Sequence, residues 1–249
     1  MENEQTNLNV ISNNIANVNT NGFKKSKVEF KDLLYQNQKP VGADAGTGAE
    51  VPVGVEVGNG SQVAATSKVF TQGQLTKTDE DFDLAIEGAG FLEVQLADGS
   101  TGYTRDGALK VNSQGQITTS SGNIVGSGFQ AVPSDLIGMH ITNSGQVTYQ
   151  SPGGDTVFRI QLARFGNPSG LKSLGNNLYA ATDASGTAEL GNPAENGFGS
   201  IHHKFLEKSN VSVVQEMVNM IVAQRAYELN SKSIKTSDEM LAQVSQIKR

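Results

Sequence analysis

The chain of 249 residues contains no cysteine and no tryptophan. The missing thiols exclude cysteine nucleophiles, disulfides and cysteine-based zinc sites, a composition compatible with an extracytoplasmic protein. A basic surplus is also missing. There are 19 Lys and Arg against 25 Asp and Glu, a net charge of −6, and this argues against a general nucleic-acid binder, which carries a basic face. No apolar run approaches the ~18 residues a membrane span needs. The first residues, Met-Glu-Asn-Glu-Gln, offer neither the basic nor the apolar region of a signal peptide. Glycine is what the chain has in excess, with 28 residues, about 11% against an average near 7%. Many turns and a modest side-chain core follow, as in an all-β chain. The length fits one or two domains.

The ends differ from the middle. Leu8, Ile11, Ile15 and Val18 fall at 3-4-3 spacing and predict one apolar stripe on an N-terminal helix. Its other faces are Asn, Ser and Thr, poor helix formers, so this helix needs a partner. Gly22 stands where a left-handed cap would end it. A short amphipathic piece follows through Val28, Phe30, Leu33, Leu34 and Tyr35. Residues 36–60 read as a linker or extended arm rich in glycine, with Pro40 and Pro52. Within it Val51, Val53, Val55 and Val57 alternate with other residues, the period of a strand ordered against something else.

Residues 69–207 are expected to form a compact antiparallel β domain. Leu84 to Leu96 reads as a strand interrupted by Gly88 and Gly90. Short strands follow at 103–105, 108–111 and 116–119. The turn Asn112-Ser-Gln-Gly115 echoes at Asn143-Ser-Gly-Gln, so similar hairpins recur. Val157 to Phe165 reads as one alternating strand. Beyond it, Ser212 and Gln215 have capping-box spacing, and no Gly or Pro occurs from Ser200 to the end. Val214, Met217, Val218, Ile221, Val222, Ala226 and Leu229 then mark a helix running from 213 to 247, about 50 Å at ~1.5 Å per residue. One small β domain cannot cover such a helix, which is expected to pack with the N-terminal helix and with neighbouring chains as a coiled coil.

Catalytic and metal-binding patterns are weak. His202 and His203 are adjacent and point to opposite faces of a strand, and His140 has no spaced partner, so no metal is expected. The run Thr78-Asp-Glu-Asp-Phe-Asp83 lacks the calcium-loop spacing and reads as a solvated turn. Asp106 and Glu93 are available carboxylates without an implied role. Gly88-Ala-Gly90 and Gly126-Ser-Gly128 lack the third glycine of a dinucleotide fingerprint. Lys24, Lys25, Lys27 and Lys31 read as a solvated basic flank past a helix C-terminus. No cofactor is expected.

Three blocks resemble the bacterial flagellar rod and hook protein family. The first runs from Ile11 to Lys25 and includes Ser12, Asn13, Asn14, Ala16, Asn17, Gly22 and Phe23. The second is Ile86-Glu-Gly-Ala-Gly-Phe-Leu with Tyr103-Thr-Arg-Asp-Gly107. The third is Ser209-Asn-Val-Ser, then Glu216-Met-Val-Asn-Met-Ile and Gln224-Arg-Ala-Tyr-Glu-Leu-Asn-Ser231. They lie in the family's order and span nearly the whole chain. Asp32-Leu-Leu-Tyr-Gln36 and residues 53–73 look more like the distal rod subunits than the proximal ones, and the chain is too short for a typical hook protein. Family members carry about a dozen residues, roughly three helical turns, before the position of Met1. Leu109 stands where the family commonly has an aromatic.

The resemblance implies a mainly β fold with α-helical termini. Residues 1–35 with 208–249 would form an inner coiled-coil assembly domain, 36–68 an arm between subunits, and 69–207 an outer antiparallel β body. It implies assembly through the two apolar stripes, with Arg225 and Tyr227 beside the second. It also implies a hollow helical homopolymer in the periplasm and outer membrane, acting as a drive shaft that lets exported subunits pass. Implied partners are other rod subunits, the hook protein, the peptidoglycan- and outer-membrane-ring proteins and the flagellar type III export apparatus. A proximal rod or hook subunit is the alternative within the family. A cell-envelope glycan hydrolase, which needs a carboxylate pair across a cleft, and a secreted adhesin are the alternatives outside it.

Overall fold

The computed structural model describes residues 1–39 and 54–247. The expected valines 51 and 53 and the glycines and prolines between 40 and 53 lie outside the described residues. Contacts divide the chain into two compact units, one made of Met1–Asn13, Ser26–Ser67 and Gln215–Arg249, the other of Asn14–Lys25 and Lys68–Val214.

The first unit begins with α1 (Glu2–Ala16), whose Glu2 and Glu4 sit favourably at the positive helix end. Ile11 is its buried apolar residue. The amide of Asn3 donates to the Ser61 carbonyl at 2.6 Å, fixing the start of the helix against a strand. The piece expected as amphipathic is extended: β1 (Ser26–Asp32) and β2 (Tyr35–Lys39). Then come β3 (Val55–Gly58) and β4 (Ser61–Lys68); β1 pairs with β4, and β2 pairs antiparallel with β3. The unit ends with α2 (Val213–Ile247), 35 residues long over the span that the absence of Gly and Pro predicts.

The second unit carries sixteen further strands among the described residues. They are β5 (Leu75–Lys77), β6 (Leu84–Glu87), β7 (Leu92–Gln95), β8 (Thr101–Thr104), β9 (Leu109–Val111), β10 (Ile117–Thr119), β11 (Ile124–Val125) and β12 (Gly138–Ile141). After them come β13 (Gln146–Gln150), β14 (Thr156–Arg159), β15 (Leu162–Arg164), β16 (Lys172–Gly175), β17 (Leu178–Ala180), β18 (Glu189–Gly191), β19 (Ser200–His203) and β20 (Phe205–Glu207). Seven of them form a sheet in the order β16-β17-β8-β7-β11-β10-β9, and β12-β13-β14 form a second. Three pairs complete the unit: β15 with β18, β19 with β6 and β20 with β5. Every strand pairing in this unit is antiparallel.

Leu84, Ile86, Leu92, Val94, Val147, Ile160, Leu162 and Ile201 lie in one buried apolar cluster. A smaller cluster joins Phe91, Tyr103, Phe165, Leu171 and Tyr179, with Tyr103 edge-on to Phe165 at 4.8 Å. The two echoing turns both end on glycines with left-handed backbone, Gly115 (φ 76°) and Gly145 (φ 77°), and both close hairpins.

Three local expectations are corrected. Residues 157–165 are not one strand: β14 pairs with β13 and β15 pairs with β18. Between them the Ile160 amide bonds Gly145 and the Gln161 amide bonds Ser127. That bend places Leu162 and Ala163, neighbours in sequence, both in the interior. Gly22 does not cap α1, which ends six residues earlier in the Asn-rich run 17–21 through turns closed by Asn14, Ile15 and Asn17 carbonyls. Its φ of 66° serves a close approach instead, because a Cβ there would meet the Asp106 nitrogen at 2.8 Å. Asp83, expected in a solvated turn, is buried.

Candidate assembly surface and buried charge cluster

The stripe expected on the C-terminal helix lies in water. Val214 (75% exposed), Val222 (63%) and Leu229 (67%) are the most open, and Met217, Val218, Ile221 and Tyr227 are exposed as well. The buried positions of α2 are Glu216 and Ala223, with Met220 half-buried between them. Residues 216, 220 and 223 follow each other by four and three, so they share one face. The helix therefore has two faces, one used within the chain and an apolar one left open. Arg225 is exposed and pairs with Glu228 at 3.0 Å, and Ala226 is half-buried. Further along, Met240, Leu241 and Val244 extend the open apolar surface.

On α1, Leu8 and Ile15 are half-buried, as is Val18 just beyond it, while Asn14 is buried and Ser12, Asn13 and Ala16 are exposed. Asn17 accepts a bond from the Thr20 hydroxyl. In the β2–β3 hairpin Tyr35, Val55 and Val57 are exposed, as is Leu34 beside it at 89%.

The first two sequence blocks meet inside the second unit at one carboxylate, Glu207, two residues before the third. Lys24, read as a solvated flank, is 1% exposed and its Nζ lies 2.7 Å from Oε1 of Glu207. Arg105 Nε lies 2.8 Å from the other oxygen, Oε2. The Gly73 amide also donates to Oε1, at 2.8 Å. Each ion is thus taken from water only because its partners replace the lost hydration.

The glycines around the second block shape the cradle for Arg105. Its guanidinium donates to the carbonyls of Ile86, Gly88 and Gly90 and to the Gln72 side chain. Gly88 (φ 101°) and Gly90 (φ 151°) hold those carbonyls in conformations that side chains disfavour. Thr104, Asp106 and Gly107 then close the turn. The Asp106 amide donates to Thr104 Oγ1, and the Ala108 amide donates to Asp106 Oδ1. At Gly107 a Cβ would overlap the Leu84 carbonyl. Phe23 packs under the Lys68 ammonium at 4.7 Å. Asn210, from the third block, accepts from the Lys25 amide and donates to the carbonyls of Val69 and Thr71.

Burial pushes the Glu207 carboxyl up, but Arg105 and Lys24 outweigh it and hold the group below the usual carboxylate range. Burial lowers the Lys24 ammonium, offset only in part by Glu207. Tyr179 is raised to about 12 by burial and by the Glu207 charge. Burial raises Asp106, and the nearby Asp83 adds to the rise.

The histidines are partnered. His202 meets Glu87 at 2.6 Å, and His203 donates to the Asp81 carbonyl at 2.7 Å. His140 stands edge-on to His203, with centroids 6.1 Å apart, a neighbour that sequence spacing does not reveal. Among the described residues no three His, Asp or Glu gather in a way that could hold a metal. No helix there is long and apolar enough to cross a membrane.

Three family descriptions match the chain. Flagella basal body rod protein matches residues 1–24, flagellar hook protein FlgE/F/G D1 domain matches 85–149, and flagellar basal body rod FlgEFG protein C-terminal matches 202–247. The chain is 44% identical to the flagellar basal-body rod protein FlgG of Caulobacter vibrioides, over 98% of this chain and 95% of that one. The chain belongs to the flagellar basal-body rod protein family. The like-named proteins of Buchnera aphidicola from Schizaphis graminum and of Bacillus subtilis are 44% and 38% identical, over 98% and 100% of this chain. Both matches cover at least 95% of the relative. As a family member it is a structural component of the flagellar basal body and not an enzyme.

Proposed function

We propose that this chain is a subunit of the distal rod, polymerising helically into a hollow shaft that transmits torque from motor to hook and passes exported subunits. The observation that carries the reading is the open apolar face of α2, from Val214 to Val244. At ~25 cal/mol per Å² such surface drives association whenever a matching face is present. An interface repeated without closing makes a filament, and a stripe on α1 with a longer one on α2 supplies the two halves of a coiled-coil layer.

In this reading 1–35 with 208–249 form the inner layer, 36–68 reach neighbouring subunits, and 69–207 form the outer body. The assembly residues are Leu8, Ile11, Ile15, Val18 and the α2 stripe. Partners are copies of the chain, adjoining rod and hook subunits, the ring proteins and the export apparatus. The test is electron cryomicroscopy of basal bodies from a strain lacking the gene. Basal bodies that stop short of the hook, restored by the full chain, support the reading. Complete hook-bearing basal bodies in that strain overturn it.

A further inference from the structure

Beside the Lys24–Glu207–Arg105 cluster lies a cavity of about 140 Å³. Lys24, Arg105 and Arg164 line it with the rings of Phe70, Phe91 and Phe165, and no carboxylate is among its lining residues. Arg164 is already engaged with Glu189 at 2.8 Å and with the Asn196 carbonyl. The other two cations share only Glu207, which leaves the buried cluster with a net charge of +1.

Among the described residues their donors are not all used. Lys24 Nζ gives two of its three protons, to Thr71 and to Glu207. Arg105 Nη1 gives one of its two, to the Gly90 carbonyl. Buried donors of a charged group call for acceptors. The rings around them are set edge to face, Phe91 with Phe70 at 5.5 Å and with Phe165 at 5.8 Å. Ring edges carry partial positive charge and their bodies are apolar.

We propose that this cavity binds a small monocarboxylate. The carboxylate oxygens take the spare Lys24 and Arg105 protons, and the short apolar remainder lies among the phenylalanines. One negative charge neutralises the cluster, whereas a dianion over-compensates it. At about 30 Å³ per water-sized group the space holds four or five non-hydrogen atoms, the size of acetate or of the end of an acidic side chain.

The test is thermal unfolding of the full chain in sodium acetate, against sodium chloride at equal ionic strength and against benzoate, which is too large. Acetate at ten times its dissociation constant should raise the midpoint by roughly 3–5 °C, and the midpoint should go on rising with the logarithm of its concentration, with no such rise in benzoate. Lys24→Met, which removes both the spare donor and the excess charge, should abolish the shift. Should that variant not fold, Ala89→Trp at the exposed rim of the cavity is expected to block it. Equal midpoints in acetate and chloride, or a shift surviving in the rim variant and in Lys24→Met, overturn the proposal. The source of the group separates in a parallel arm. Acetate leaves self-association unchanged if a free anion is the occupant, and inhibits it at the same dissociation constant if an acidic side chain of a second copy is.

Discussion

Replacing Glu207 by glutamine should destabilise the β body far more than a change of one atom suggests. The carboxylate is 2% exposed and accepts from Lys24, Arg105 and the Gly73 amide. Glutamine keeps one acceptor oxygen but turns the other end into a donor that faces a cation. Two buried cations then share no counter-charge, and breaking a buried pair in this way costs about 3–5 kcal/mol. Arg105 retains three backbone carbonyls, so the lower end applies, about 3 kcal/mol, or roughly 6–12 °C in the midpoint for a body of this size. Lys24→Met alone leaves a one-to-one pair of Arg105 and Glu207 and should cost about 1 kcal/mol. The double variant should cost at least 1 kcal/mol less than the sum, because only one cation is stranded. The assay is urea unfolding followed by tyrosine circular dichroism near 280 nm, which Tyr103, Tyr149 and Tyr179 report for the body in a chain without tryptophan. Because the folded Glu207 carboxyl titrates below its ordinary value, the unfolded chain takes up its proton first on acidification. Its stabilisation is therefore present above the ordinary carboxylate range and lost as pH falls through the folded value. The gap between parent and variant should close in acid. A loss under 1 kcal/mol at neutral pH, or additive single and double variants, would refute the reasoning.

Other perturbations separate the two units. Ile221→Asp changes an exposed position, so the isolated chain should keep its stability within about 0.5 kcal/mol while rods fail to form; normal rods by electron microscopy would contradict the assembly face. Tyr149 and Tyr179 are held protonated to about 12 against an ordinary 10. Their raised values favour the fold below pH 10, and that contribution is lost as pH rises toward 12. Tyr179→Phe should flatten the alkaline decline in urea midpoints between those limits. Gly60→Ala meets no atom within 4 Å and bears only the strain of φ 98°, about 1 kcal/mol, whereas Gly107→Ala drives a methyl into the Leu84 carbonyl and should abolish the folded body in the same unfolding assay.

What sequence revealed and what it hid divide by physical range. The 35-residue C-terminal helix was readable because helix formation is local and nothing between 213 and 247 interrupts it. The hairpins at Gly115 and Gly145 were readable because their turn chemistry is local too. The strand at 157–165 failed because alternation reports which side chains face a surface, not whether the backbone changes sheets at Ile160. Lys24 failed for a deeper reason. A lysine beside Lys25 and near Lys27 looks like a solvated flank, and its acceptor lies 183 positions away in sequence. Only the family resemblance pointed at these residues, through Gly22-Phe-Lys24, the glycines 88 and 90 and the Arg105 turn, and it did so without saying that they converge. Glu207 carried no signal at all, since it falls just before the third block.

The placement of that cluster has a mechanical consequence within the second unit. Lys24 stands at the end of the segment that leads from α1, and Glu207 six residues before α2. A single buried carboxylate therefore ties the segments leading to both terminal helices to one another and, through Arg105, to the β body. A hydrophobic contact at this place could slide by an ångström at little cost, because dispersion is non-directional. An ion pair with fixed donors at 2.7 and 2.8 Å cannot slide without stranding a buried charge. Stiffness, more than stability, is what such a device supplies. It follows that Lys24→Met should preserve the fold with little loss, yet loosen the hold of the β body on residues 22–25 and 207–210. Native-state hydrogen exchange of the backbone amides in those two segments should then be faster than in the parent. Exchange equal to the parent's would mean that the surrounding strands, and not the charge cluster, set the rigidity.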